Sequence, residues 1–279
     1  MALNANTYYS NSIQGVPGAG VDVNVNTVDA APRYPVGYKV ERADGNIYRY
    51  VHVGTTVNAG NLVGPSTNGQ LAYTAALVTA SASAVSVAAE YPILPGQVGS
   101  HWLQVTIASI AANKYQGGYL ITTEGTGLGH TYRIVGNTAT GSPVTGQLYI
   151  QLADAIQTAI TATTAVIIQQ SLFTDLVIAP TTSAVVTGVL TQTTSSTNAW
   201  GWVCTRGIIG CAEDGTNTVV PGQQVIASGN VAGSYASQGK SATTLATNAF
   251  QAPMIGTNVV SASSTSAANR QGVIFVELE

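Results

Sequence analysis

The nine residues from Gly233 to Ser241 read GSYASQGKS, which comes within one residue of a phosphate-binding loop. Such a loop needs four residues between its glycines, so that successive backbone amides wrap one phosphate while the lysine reaches the next. Five stand between Gly233 and Gly239, and no convincing helical pattern follows Ser241. Ser237 and Lys240 also have the Ser-x-x-Lys spacing of a nucleophile and its base, but that spacing aligns the two groups only at a helix start. A flexible Ser/Gly/Thr loop is the expectation. A second possible cradle is Gly125-Thr126-Gly127-Leu128-Gly129-His130. A dinucleotide site requires such a turn to open a helix whose N-terminus holds the pyrophosphate. Here it leads into Thr131-Tyr132-Arg133-Ile134-Val135, a strand pattern, so a hairpin loop is expected.

Other chemistries fare no better. Asp22-Val23-Asn24-Val25-Asn26 opens like a calcium loop, but Thr27 stands where the sharp turn needs Gly and no Glu occupies the twelfth position. A strand with a solvated polar face explains the alternation. Cys204 and Cys211 are too few for a zinc site, and His52, His101 and His130 are far apart in sequence. In a reducing cytoplasm two buried thiols are expected in place of a bridge. Glu213-Asp214-Gly215 is the only adjacent carboxylate pair and reads as an exposed turn, without the walled cleft that separates catalytic pKa values. Trp200 and Trp202 flank Gly201 at strand spacing and so share one face. Packing in a core or at a subunit contact is expected for them ahead of sugar binding. No cofactor or metal is expected, and no enzymatic activity.

The elements that would position these groups are strands. Tyr48–Val53, Trp102–Ile107, Gln147–Leu152 and Gly272–Leu278 are rich in β-branched and aromatic residues and bounded by turn formers. Val21, Val23 and Val25 alternate with polar residues in the period of a half-buried strand. Asp44-Gly45, Asn68-Gly69 and Asp214-Gly215 are hairpin dipeptides, because Asn, Asp and Gly tolerate positive φ. Ala153–Ile160, with Ile156 and Ile160 four apart, allows at most one or two helical turns. Segments 49–74 and 201–237 echo one another, each running strand, loop, small residue or Pro before Gly, short apolar strand, Gly turn. Two related halves of one barrel would produce this, as would any barrel that reuses its hairpins. The fold class is therefore all-β. Residues 1–75 and 185–279 form a discontinuous β-barrel or sandwich, with an N-terminal arm at 1–15, and 95–180 is an inserted β-rich domain that a surface loop tolerates at modest entropic cost.

Charged residues make up only 8% of the 279-residue chain, against about a quarter in an ordinary soluble domain. A monomer uses charge to stay soluble and to keep sheet edges from pairing with other chains. Much of this surface is therefore expected to meet other protein. With 45% apolar residues and a formal net charge of −3 the chain is no disordered polyelectrolyte. Its hydrophobic runs are too interrupted for a membrane helix, so no membrane partner is expected. Its Lys and Arg are scattered, with no cluster to displace counterions from nucleic-acid phosphates. The first residues, Met-Ala-Leu-Asn-Ala-Asn, have neither a basic nor an apolar leader segment, which implies synthesis in a cytoplasm.

Three segments carry a resemblance: VNAGNLVGPSTNG (57–69), AWGWVCTRGIIGCAEDGTNTVVPGQQVIAS (199–228) and APMIGTNVVSASSTSAANRQGVIFVELE (252–279). Together they are similar to virion structural proteins of tailed bacteriophages, most of all to head decoration, or cement, proteins. The run YQGGYLITTEGTGLGHTYRIVGN (115–137) looks like a segment of larger phage structural proteins. The resemblance implies a β-rich, non-enzymatic protein on the capsid exterior, made in the host cytoplasm. Its partners would be the major capsid protein and further copies of itself, a trimer before a dimer. Candidate contacts are Tyr8 and Tyr9, adhesive side chains ahead of any clear strand, and the pair Trp200 and Trp202. The alternative is a tail or fibre protein that binds host glycan.

Overall fold

Alternating β-branched and aromatic residues become strands throughout the described part of the chain, and that part contains no helix. The structure, a computed structural model, describes residues 23–65, 73–76, 95–106, 110–139, 147–161, 164–181, 185–215, 219–237, 254–260 and 270–279. The chain divides into two compact units, Met1–Ser66 with Leu172–Glu279, and Thr67–Ser171.

The first unit holds β1 (Lys39–Glu41), β2 (Ile47–Val53), β3 (Leu62–Pro65), β10 (Leu176–Ile178), β11 (Gly188–Leu190), β12 (Ala199–Glu213), β13 (Gln224–Ala227), β14 (Tyr235–Ser237), β15 (Met254–Val260) and β16 (Arg270–Glu277). Hydrogen bonds lead from β2 through β10, β3 and β11 to β12, and β12 pairs back with β2. A second circuit runs from β12 through β14, β13, β15 and β16 to β12 again. The 15-residue β12 is thus common to both rings. It changes partner around Thr205, which is bulged between Cys204 and Arg206; Ala199 to Cys204 pair with β2, Arg206 pairs with both Ile47 of β2 and Glu277 of β16, and the residues beyond it pair with β16. β10 belongs to this unit, and not to the inserted segment expected at 95–180, because it is hydrogen-bonded to β2 and β3.

Side-chain alternation sorts the core. Val51, Val53, Val63, Leu190 and Val203 fill one cluster, while their strand neighbours Leu62 and Val189 turn the other way into a second cluster with Tyr235, Ile255, Ile274 and Val276. The outward face of β2 and β12 carries Tyr48, Tyr50, Trp202 and Cys204, and the segment from Val23 to Val40 lies over it. Val23 and Val25 are buried there as their alternation requires, but the segment is no strand. The Asn24 Oδ1 accepts from Asn26 N at 3.0 Å and the Asn24 carbonyl from Thr27 Oγ1 at 2.9 Å, so local side-chain bonds bend the backbone into a turn.

The two echoing segments make the same turn. Asn61 N reaches the Asn58 carbonyl at 3.2 Å and Gln223 N the Val220 carbonyl at 3.1 Å. Gly60 and Gly222 take φ of 81° and 83° at the third position, where only a residue without Cβ sits unstrained. β3 follows the first turn and β13 the second.

The second unit is a six-stranded antiparallel sheet in the order β4 (Tyr73–Ala76), β9 (Ala165–Gln169), β6 (Tyr119–Glu124), β7 (Thr131–Asn137), β8 (Gln147–Leu152), β5 (Trp102–Thr106). One apolar cluster, including Leu120, Ile134, Ile150 and Ile168, fills it. Ile156 and Ile160 are buried in that cluster without a helical turn. Their amides bond the Ser100 and Gly96 carbonyls, each at 2.8 Å, so an extended strap places both side chains.

Candidate interaction surface

Gly201 separates the two tryptophans on β12, and both indoles face the cluster under the Val23–Val40 segment. Trp202 is 1% exposed, with the rings of Tyr50, Tyr34 and Tyr38 at centroid distances of 5.1, 5.5 and 6.5 Å. It is a core residue, so the expectation of a capsid or subunit contact is corrected at this position. The Tyr50 hydroxyl donates to Asp29 Oδ2 at 2.9 Å, and Asp29 also pairs with Arg33 at 2.8 Å. Burial, with the Asp29 carboxylate beside it, pushes the Tyr50 phenol up to about 12. Trp200 is half-buried and lies 4.8 Å from the His52 ring, whose Nδ1 pairs with Asp175 Oδ1 at 2.8 Å. Tyr8 and Tyr9 lie outside the described residues.

The remaining chemistry-bearing groups are built into the frame. Cys204 and Cys211 are buried free thiols, and burial pushes Cys204 up to about 12 and Cys211 further. The Gly125–His130 run is the loop of the β6–β7 hairpin, with Gly125, Gly127 and Gly129 all at positive φ. Glu213 does not sit on an exposed turn: it ends β12, is buried, and lies 3.4 Å from the Tyr235 hydroxyl. Asp214 accepts from Ser228 Oγ at 2.8 Å. Ser237 is buried at the end of β14, whereas Lys240 lies outside the described residues. His101 contacts the Leu152 carbonyl and His130 the Tyr132 hydroxyl. Among the described residues no group of three or more His, Cys, Asp and Glu could hold a metal. Glu279 is pushed up by burial, but Arg49, Thr205 and Lys39 more than offset this and leave its carboxyl below the ordinary range.

A different feature stands out on the second ring. Successive pairs across β12 and β16 are Arg206 with Glu277, Ile208 with Phe275, and Gly210 with Val273, all on the outward face. β15 extends two of these rows, placing Thr257 beside Phe275 and Val260 beside Val273. β13 adds Ile226 beside Met254. Ile208, Val260 and Met254 are 55%, 54% and 48% exposed, and Phe275, Val273 and Ile226 are half-buried. Four adjacent strands thus present an apolar outer face, bounded at one end by Arg206 and Glu277 and at the other by Gln271, whose amide reaches the Ala59 carbonyl at 3.2 Å. None of its apolar members is chemically reactive, so no motif in the sequence marks it. The available signal was the unbroken run Val273-Ile274-Phe275-Val276. A strand apolar at every position is commonly covered on both faces, and here one face fills the ring interior while the other is left open by the described residues.

No protein-family model matches the chain, and neither the curated proteins nor the solved structures contain a significant match to it.

Proposed function

We propose that the chain is a non-enzymatic virion structural protein that binds the outer surface of a phage capsid and stabilises the shell. The observation that carries the reading is the open apolar face on β12, β16, β15 and β13 in a chain with only 8% charged residues. A lone soluble protein pays for such a patch in aggregation, and a protein that spends its working life against neighbours does not. The ionisable groups brought together by the fold support the same reading. Asp29, Asp214 and Glu279 are each engaged in bracing backbone or neighbouring strands.

A protein of this kind works by mass action. It binds assembled shell better than loose subunits, and at a free concentration 100 times its dissociation constant the bound state gains about 2.7 kcal/mol per site. Contacts that are individually weak suffice when one oligomer spans several shell subunits, because later contacts become intramolecular. The major capsid protein and further copies of the chain are the proposed partners, with Tyr8 and Tyr9 retained as candidate contacts.

Electron microscopy of particles carrying a labelled chain tests this directly. Label distributed over the head is the expected result. Label confined to the tail tip would replace the reading with adhesion to a host glycan.

A further inference from the structure

We infer that the outer face of β12 and β16 pairs with the same face of a second copy, about a two-fold axis running along the line between the two strands. Rotation about such an axis exchanges the two strands across the contact, so each residue of β12 meets, in the partner copy, the residue that lies beside it on β16 in its own. The register makes that exchange self-complementary. Arg206 of one copy meets Glu277 of the other, and the reverse contact forms at the same time. Ile208 meets Phe275, and Gly210, which adds no bulk, meets Val273.

Charge selects this occupant over an unrelated apolar partner. Arg206 and Glu277 are both exposed and directly opposed in the register, yet among the described residues neither forms an ion pair within the chain. They stand at one end of a stripe whose other members are uncharged, so a partner surface must offer one acid and one base in swapped positions. The chain's own face does so. Two sheets laid together in this way have their strands nearly aligned, the common mode of face-to-face sheet packing. The pairing does not rest on capsid binding, and it forms a two-fold unit in place of the trimer that the family resemblance favours.

Sedimentation equilibrium of the full chain, with the variants R206E, E277R and R206E/E277R, tests it. The native chain is expected at twice its 28.5 kDa mass. Each single reversal places like charges together at two symmetry-related points and should weaken association by about tenfold or more. The double variant restores opposite charges and should recover most of the native affinity. Circular dichroism of all four proteins reports whether each is folded. A 28.5 kDa species at every concentration, a trimer, or a double variant no tighter than the singles would overturn the inference.

Discussion

Trp202 ties the outward face of β2 and β12 to the segment that covers it, so truncating it leaves a hole lined by three tyrosine rings. Trp202→Ala should cost about 3–5 kcal/mol, read as a lowered urea midpoint. Its buried Nε1 has no hydrogen-bond partner among the described residues, so Trp202→Phe should cost well under half of that. The thiols give a prediction of opposite character. An unfolded thiol ionises near 9.0, whereas folded Cys204 holds its proton up to about 12 and Cys211 beyond that. Above pH 9 the unfolded state therefore binds fewer protons than the folded one, and stability falls as pH rises toward 12. The slope approaches about 1.4 kcal/mol per pH unit for each thiol. Urea midpoints at pH 7.5 and 10.5 check the sign, and replacing both cysteines with alanine should reduce the dependence, leaving the part that comes from raised phenols such as Tyr50. At residue scale the sequence made the shared face of Trp200 and Trp202 legible, since strand spacing dictates it. Which side of the strand was interior was not legible, because β2 and the part of β12 that pairs with it bury both faces and no local pattern marks the covering segment.

At the scale of the element, β12 depends on changing partners midway. Gly207 follows the bulge with φ of 114°, and a Cβ there would collide with Asn46 Oδ1, the atom that accepts from Ile208 N at 2.9 Å. Gly207→Ala should therefore cost at least about 2 kcal/mol, from backbone strain and loss of the Asn46 bridge together. Gly45→Ala offers the comparison, since it also has positive φ but meets nothing within 4 Å. Equal losses at the two sites, measured by thermal melting, would show that the close approach of Asn46 is immaterial. Strands such as Gln147–Leu152 were legible to the residue because period and turn formers agree. Two segments misled. Asn24 turns a period-two pattern into a bend through its own side chain, and the four-residue spacing of Ile156 and Ile160 comes from an extended strap tied to Gly96 and Ser100.

The whole molecule joins two properties, a shortage of charge that was plain in the composition and an apolar sheet face that emerges only when β12, β13, β15 and β16 are brought side by side. Long-range pairing made the second property invisible in one dimension: Ile208 and Phe275 are adjacent only because β12 pairs with a strand from the far end of the chain. The boundary of the first unit near Leu172 depends on the pairing of β10 with β2 and β3, which no local pattern announces. Ile208→Lys should leave the melting temperature within a few degrees of native, since the side chain is 55% exposed, yet weaken pairing between copies and, through the lost multivalency, reduce retention on heads. Co-sedimentation of the variant with chain-free heads reads that split. The most direct measurement of the central claim is the copy number of the chain per purified particle, relative to the major shell protein, by quantitative mass spectrometry. A ratio near one or near one third is the predicted result; a handful of copies per particle, or none, would contradict it.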